Sequence, residues 1–173
     1  MEAAALRALV RDIPDFPQPG VVFKDITPML ADPAALRAAV DALAEPFLAH
    51  GVERVVGIEA RGFILAAPVA ERLGAGFVPV RKLGKLPWRT EAITYALEYG
   101  TDTLEVHLDA VGVGQRVLIV DDVLATGGTA TSTASLIERL GAEVVGLSFL
   151  IELSFLGGRE RLAGRTATSV LSW

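Results

Sequence analysis

The sequence predicts an α/β chain with a mainly parallel sheet flanked by helices, and three observations lead there. Apolar runs at residues 55–58, 77–80, 117–120 and 144–151 have the length of buried strands. Helical stretches at 63–73 and 129–140 alternate with them, each closed by a glycine, Gly74 and Gly141. No internal repeat, low-complexity tract or linker divides the 173 residues, so residues 1–173 are expected to form a single domain.

In chain order, residues 3–10 read as an opening helix. Residues 13–20 cannot extend it, because three prolines fix φ and remove donors, so this stretch is a loop or arm. Residues 21–23 have the character of a short strand. Asp32 then supplies an N-cap, followed by Pro33 at the first helical position, for a helix running towards His50 and Gly51 that Pro46 shortens or kinks. The strand at 55–58, the helix at 63–73 and the strand at 77–80 come next, then a long polar connection to a strand at 103–108. The strand at 117–120 leads into an Asp-Asp and Gly-Gly cluster, the helix at 129–140 and the strand at 144–151. Beyond it, Gly157-Gly158 and Val170-Leu171 give weaker signals. Open parallel sheets bind ligands at the carboxyl ends of their strands, which singles out residues 59–62, 81–89 and 121–128.

Composition excludes several classes of function. The absence of cysteine rules out disulfides, thiolate metal sites and a cysteine nucleophile. A formal net charge of −5 argues against a nucleic-acid partner. No apolar run is long enough to span a bilayer, and the first ten residues lack a basic segment followed by a long apolar one, so no membrane partner and a cytoplasmic location are expected. His50 and His107 have no metal-ligand spacing, and no metal-ligating residue is assigned. Against the acidic background, residues 75–90 hold no carboxylate while Arg81, Lys82, Lys85 and Arg89 crowd together; Lys24 is the only other lysine. A cationic spot is expected there.

The chemistry concentrates in VLIVDDVLATGGT, residues 117–129, where an apolar strand ends in two carboxylates and a small-residue turn opens a helix. Ala125, Thr126, Gly127, Gly128 and Thr129 lack bulk, so backbone N–H groups can close on a phosphate at the helix N-terminus, where the dipole also favours an anion. Thr126 and Thr129 add hydroxyl donors. Asp121 and Asp122 would repel that phosphate if they faced it, and are better suited to sugar hydroxyls beside it. A sugar phosphate satisfies both halves. Other nucleotide motifs fail: there is no P-loop, and Gly112-Val113-Gly114 precedes a strand instead of following one. Arg61, between a buried strand and a helix, can present its guanidinium to a further phosphate group.

VLIVDDVLATGGT resembles the signature with which the type I phosphoribosyltransferases bind phosphoribosyl pyrophosphate. PDFPQPGVVFKDITPML at 14–30, GIEARGF at 57–63, VRKLGKLP at 80–87 and LEYG at 97–100 narrow the resemblance to the adenine branch of that family, over about residues 13–156. The resemblance implies the type I fold with a small N-terminal hood, in which residues 1–32 form an arm contributing to the base site. It implies an enzyme of purine salvage that converts adenine and phosphoribosyl pyrophosphate to AMP and pyrophosphate.

The roles it implies are residue by residue. Glu98 in LEYG would act as acid/base on the imidazole-side nitrogen of adenine. Val22 and Lys24 would read the base edge through the main chain, with Phe23 or a neighbour stacking on the ring; Lys24 stands where arginine is commoner. Arg61, Arg81, Lys82 and Lys85 would hold the leaving pyrophosphate, part of the basic run reaching a partner subunit. Leu83 departs from relatives and takes no role. Residues 86–94 would be a mobile loop closing over the substrates, with Trp88 beneath it or exposed. Mg²⁺ would enter with phosphoribosyl pyrophosphate, and a homodimer is the expected assembly. Two other readings remain: an enzyme for another purine base, which LEYG and PGVVFKD weigh against, and a non-catalytic regulator, for which no basic helix-turn-helix is visible.

Overall fold

The protein is described by a computed structural model covering residues 1–96 and 100–173. Helix α1 (Ala3–Ala8) leads into a two-stranded antiparallel hairpin, β1 (Arg11–Pro14) and β2 (Val22–Asp25), with Ile13 opposite Phe23. The proline-rich stretch is the loop of this hairpin. The short helix α2 (Thr27–Ala31) follows, then α3 (Pro33–Ala44), where the Asp32 carboxylate accepts the Ala34 and Ala35 N–H groups at 2.9 and 2.8 Å. Helix α3 ends at the 3₁₀ turn carrying Pro46, the shortening its sequence predicts.

The remaining elements are β3 (Arg54–Ile58), α4 (Arg61–Leu73), β4 (Gly76–Lys82), β5 (Thr90–Ala96), β6 (Thr101–His107), β7 (Arg116–Leu124), α5 (Gly128–Arg139), β8 (Glu143–Glu152) and β9 (Ala167–Ser172). The seven-stranded sheet has the order β5-β6-β4-β3-β7-β8-β9. Strands β4, β3, β7, β8 and β9 run parallel, while β6 pairs antiparallel with both β4 and β5. Each face is covered. Leu43, Phe47, Leu65 and Val69 of α3, its following turn and α4 pack on one side, and Leu136 and Ile137 of α5 pack with Ile119 and Phe149 on the other. This two-sided burial explains why β3 and the start of β7 read as unbroken apolar runs.

Three expectations are corrected. Residues 90–96 are a strand, not part of a polar connection or a free loop, because Ile93 and Tyr95 alternate inwards against the α5 side of the core. Strand β7 continues four residues past Val120, so Asp121 and Asp122 are strand residues instead of loop residues. Helix α4 begins at Arg61 and not at Phe63. Among the described residues, no helix is long and apolar enough to cross a membrane.

Candidate active site

A cavity of about 610 Å³ opens where β3 and β7 end, roofed by the β1–β2 hairpin and walled on one side by β5 and β6. Eleven of the predicted residues line it: Val22, Lys24, Arg61, Lys82, Asp121, Asp122, Ala125, Thr126, Gly127, Gly128 and Thr129. Arg81 and Lys85 do not. Glu98 lies outside the described residues.

The turn from β7 into α5 is shaped by glycine. Gly127 has φ +80°, the left-handed region, and a Cβ there would fall on the Gly158 carbonyl. Gly158 is equally confined, because its Cβ would fall on the Ala125 carbonyl. The Gly157-Gly158 stretch, faint in the sequence, is thus the floor against which this loop is pressed. Helix α5 has no side-chain cap and no acidic residue in its first turn. Its leading N–H groups remain available to an anion in a cavity, with the helix dipole behind them. Thr129 adds a hydroxyl, which lies 3.1 Å from the phenol oxygen of Tyr95 on β5.

Beside this loop stand two carboxylates in different settings. Asp122 is buried and paired with the Arg61 guanidinium. Asp121 accepts the Asp122 N–H at 2.9 Å, and Gly62 lies so close that a Cβ on it would be 2.6 Å from the Asp121 carboxylate. Burial, reinforced by the neighbouring Asp122 charge, pushes the Asp121 carboxyl well above the ordinary carboxylate range. A cationic, hydroxyl-bearing group placed here would relieve that cost.

Of the cations expected at residues 81–89, Arg81, Lys82 and Lys85 are not free charge. Glu59, its side chain 6 % exposed, accepts from Arg81 Nε at 3.0 Å, Lys85 Nζ at 2.7 Å and the Lys82 N–H at 3.1 Å. Burial raises the Glu59 carboxyl, but these three bonds together outweigh it and hold its pKa below the usual value. Lys82 pairs with Asp102 at 3.1 Å, a contact that raises the lysine pKa. The backbone of the turn is fixed by buried Glu105, which accepts the Lys85 and Leu86 N–H groups at 2.9 and 3.0 Å. The sequence shows the cations side by side; their carboxylates, Glu59 in the turn after β3 and Asp102 on β6, are 20 or more residues away.

In the hairpin roof, the Lys24 ammonium is held by Asp12 at 2.6 Å and lies 5.0 Å from the Trp173 ring. The side chain is therefore occupied, and what Lys24 offers the cavity is main chain. Phe23 packs edge-on to Phe16 at 5.2 Å, with the Arg61 guanidinium 4.8 Å above its ring. Strand β2 has no partner on its outer edge among the described residues. His50 packs on Phe47 at 5.3 Å and His107 lies near exposed Trp88 at 6.2 Å, both away from the cavity lining. Sequence reasoning gave no role to Glu59, Tyr95, Asp102 or Glu105. Glu59 sat inside the GIEARGF motif and Tyr95 in a two-residue alternation with Ile93, but nothing local connects any of them to its partner.

Among the described residues no group of three or more His, Cys, Asp and Glu side chains is arranged to hold a metal ion.

The family model for the phosphoribosyl transferase domain matches residues 29–164. An adenine phosphoribosyltransferase of Thermobifida fusca is 69% identical over 154 residues, which is 89% of this chain and 88% of that protein. The crystal structure of adenine phosphoribosyltransferase from Rhodothermus marinus superposes with a TM-score of 0.95 at 57% identity, covering 99% of this chain and 98% of that one. That of the Saccharomyces cerevisiae enzyme, complexed with an imino-altritol bisphosphate and adenine, superposes with a TM-score of 0.92 at 39% identity over 98% of each chain.

Proposed function

The chain belongs to the adenine phosphoribosyltransferases, enzymes of purine salvage that make AMP and pyrophosphate from adenine and phosphoribosyl pyrophosphate, and from that membership we propose how its residues divide the work. The observation that carries the proposal is the uncapped N-terminus of α5 opening into the same cavity as Asp121 and Asp122. Ala125, Thr126, Gly127, Gly128 and Thr129 take the 5′-phosphate. Asp121 and Asp122 take the ribose hydroxyls and face the positive charge that grows on the sugar as the bond from C1′ to pyrophosphate breaks. That charge lets the half-buried Asp121 ionise at lower cost, so the interaction strengthens in the transition state.

Arg61, Arg81, Lys82 and Lys85 receive the pyrophosphate as it leaves. Lys82 and Arg61 do so from the lining of this cavity; Arg81 and Lys85 lie behind Glu59, consistent with a basic run shared across a homodimer. Phosphate oxygens and water would supply most ligands of a Mg²⁺ ion carried in on phosphoribosyl pyrophosphate, since Asp122 is already engaged by Arg61. Bound in this way, the ion would supply positive charge to the pyrophosphate.

The arm of residues 1–32 contributes to the adenine pocket. Val22 and Lys24 offer backbone groups, and Phe23 offers a ring face or edge to the base. Glu98 accepts the proton that adenine loses as its N9 bonds to C1′, a transfer whose catalysis is typically worth about 10²–10⁴-fold. The enzyme works in the cytoplasm.

Incubation with Mg²⁺, phosphoribosyl pyrophosphate and each purine separately tests the reading. AMP from adenine alone is expected; a comparable rate with guanine or hypoxanthine would overturn the base assignment, and no product would overturn the enzyme. In the same assay Glu98→Gln is expected to lower kcat by about 10² or more with little change in phosphoribosyl pyrophosphate affinity. An unchanged kcat would remove Glu98 from its role.

A further inference from the structure

Tyr95 projects from β5, opposite Asp102 on β6, and its side chain lies over the first turn of α5. A Cβ added to Gly128 would stand 3.7 Å from the ring, so the phenol rests directly on the phosphate loop. Ile93, two residues earlier, packs into the core beneath α5, which fixes the strand's approach. The Tyr95 oxygen then meets the Thr129 oxygen at 3.1 Å. Burial raises the Tyr95 pKa, so the phenol keeps its proton near neutral pH.

A threonine hydroxyl has one proton and two lone pairs. If Thr129 gave that proton to Tyr95, it could meet an anion only with a lone pair, which repels. If Tyr95 gives its proton to Thr129, the single Thr129 proton is left for the anion, and the two bonds polarise each other in the same sense. A phosphate at the N-terminus of α5 selects the second arrangement. Thr131 and Thr133, further along α5, donate to the Arg161 carbonyl at 3.2 Å and the Thr129 carbonyl at 2.8 Å, and neither competes.

We propose that Tyr95 is a positioning residue for the 5′-phosphate: its hydroxyl orients the Thr129 hydroxyl as a donor and ties strand β5 to the occupied phosphate loop. The proposal rests on the assignment of that loop to the 5′-phosphate. It also gives β5 a function beyond covering the sheet edge, because the strand's position becomes coupled to whether the loop is filled.

Tyr95→Phe removes one oxygen and keeps the ring, so packing on Gly128 survives. The expected result is a rise of about fivefold in KM for phosphoribosyl pyrophosphate and in Kd for AMP, in line with one hydrogen bond, with KM for adenine unchanged. Thr129→Ala should itself weaken both phosphate-bearing ligands, and adding Tyr95→Phe to it should change nothing further. Thr129→Ser keeps a hydroxyl, and in that background Tyr95→Phe should regain its effect. Equal changes in both KM values, no change at all, or a full Tyr95→Phe effect persisting in the Thr129→Ala background would each overturn the proposal. A Thr129→Ala enzyme with unaltered affinity for phosphoribosyl pyrophosphate would instead overturn the phosphate-loop assignment, so the two failures are told apart.

Discussion

Between β7 and α5 the cavity offers N–H groups and hydroxyls that carry no formal charge, whereas Arg61, Arg81, Lys82 and Lys85 around β3 and β4 are each already paired with a carboxylate. The contrast has a physical cause. Dipoles at a helix end can wait unpartnered at the mouth of a cavity, because water satisfies them and there is no net charge to desolvate. The guanidinium and ammonium groups are partly exposed, but Glu59 and Asp122 are buried carboxylates that need a counter-charge, and with Asp102 they hold the cations in place. Phosphate binding at the first site displaces water. Pyrophosphate at the second meets cations that these carboxylates already hold in position, so less side-chain freedom is lost on binding.

The sharpest way to break the first site is a single methyl group. Gly127→Ala puts a Cβ on a residue at φ +80°, costing about 1–2 kcal/mol, and drives it into the Gly158 carbonyl. The loop can relieve that contact only by moving. A displacement near 1 Å in a positioning element can cost about 10²-fold, so kcat/KM for phosphoribosyl pyrophosphate should fall by at least that factor, accompanied by a lower Tm. Steady-state kinetics and a melting curve check it; near wild-type kcat/KM would mean that the loop does not depend on this backbone shape.

The same contrast explains what the sequence made legible. The phosphate loop is local: strand, small residues and helix start lie within 117–129, and its conformation follows from residues adjacent in the chain. Only its floor, Gly158, is distant. The basic run was equally visible as composition, but its electrostatic state was not, because Glu59 reaches Arg81 and Lys85 across 22 and 26 positions and Glu105 reaches Lys85 across 20. Strand β5 was missed for a related reason. TEAITYA is polar enough to read as a connection, and its two inward residues, Ile93 and Tyr95, gain meaning only against α5, which comes more than 30 residues later. The parallel core, by contrast, was readable because strands buried on both faces leave continuous apolar runs.

At the second site Glu59→Gln is the informative change. The amide still accepts the Lys82 N–H but loses the charge that orders Arg81 and Lys85. Because the pairs are partly exposed, the fold should tolerate the loss, while KM for phosphoribosyl pyrophosphate should rise about tenfold, the equivalent of one charge-assisted hydrogen bond. Adenine should bind as before. If KM for phosphoribosyl pyrophosphate stays the same, the Glu59 cluster supports the sheet edge and does not shape the pyrophosphate site.

The smallest expected effect is one of stability, and it concerns the border between the two sites. Burial and the Asp122 charge raise the Asp121 pKa in the folded protein. A carboxyl whose folded pKa lies above its unfolded value favours the folded state fully below the unfolded pKa, near 3.8, and that advantage is lost as pH rises through the folded value. Above that range the ionised Asp121 is a cost the unliganded protein carries for its sugar site. Asp121→Asn keeps an oxygen to accept the Asp122 N–H and removes the charge. The variant should melt at nearly the wild-type temperature around pH 4 and a few degrees higher at pH 7, with the gap widening as pH rises and activity falling. A gap independent of pH would assign the change to packing instead of charge, and a variant less stable at pH 7 would show that the ionised Asp121 is stabilised by its surroundings even with no sugar bound.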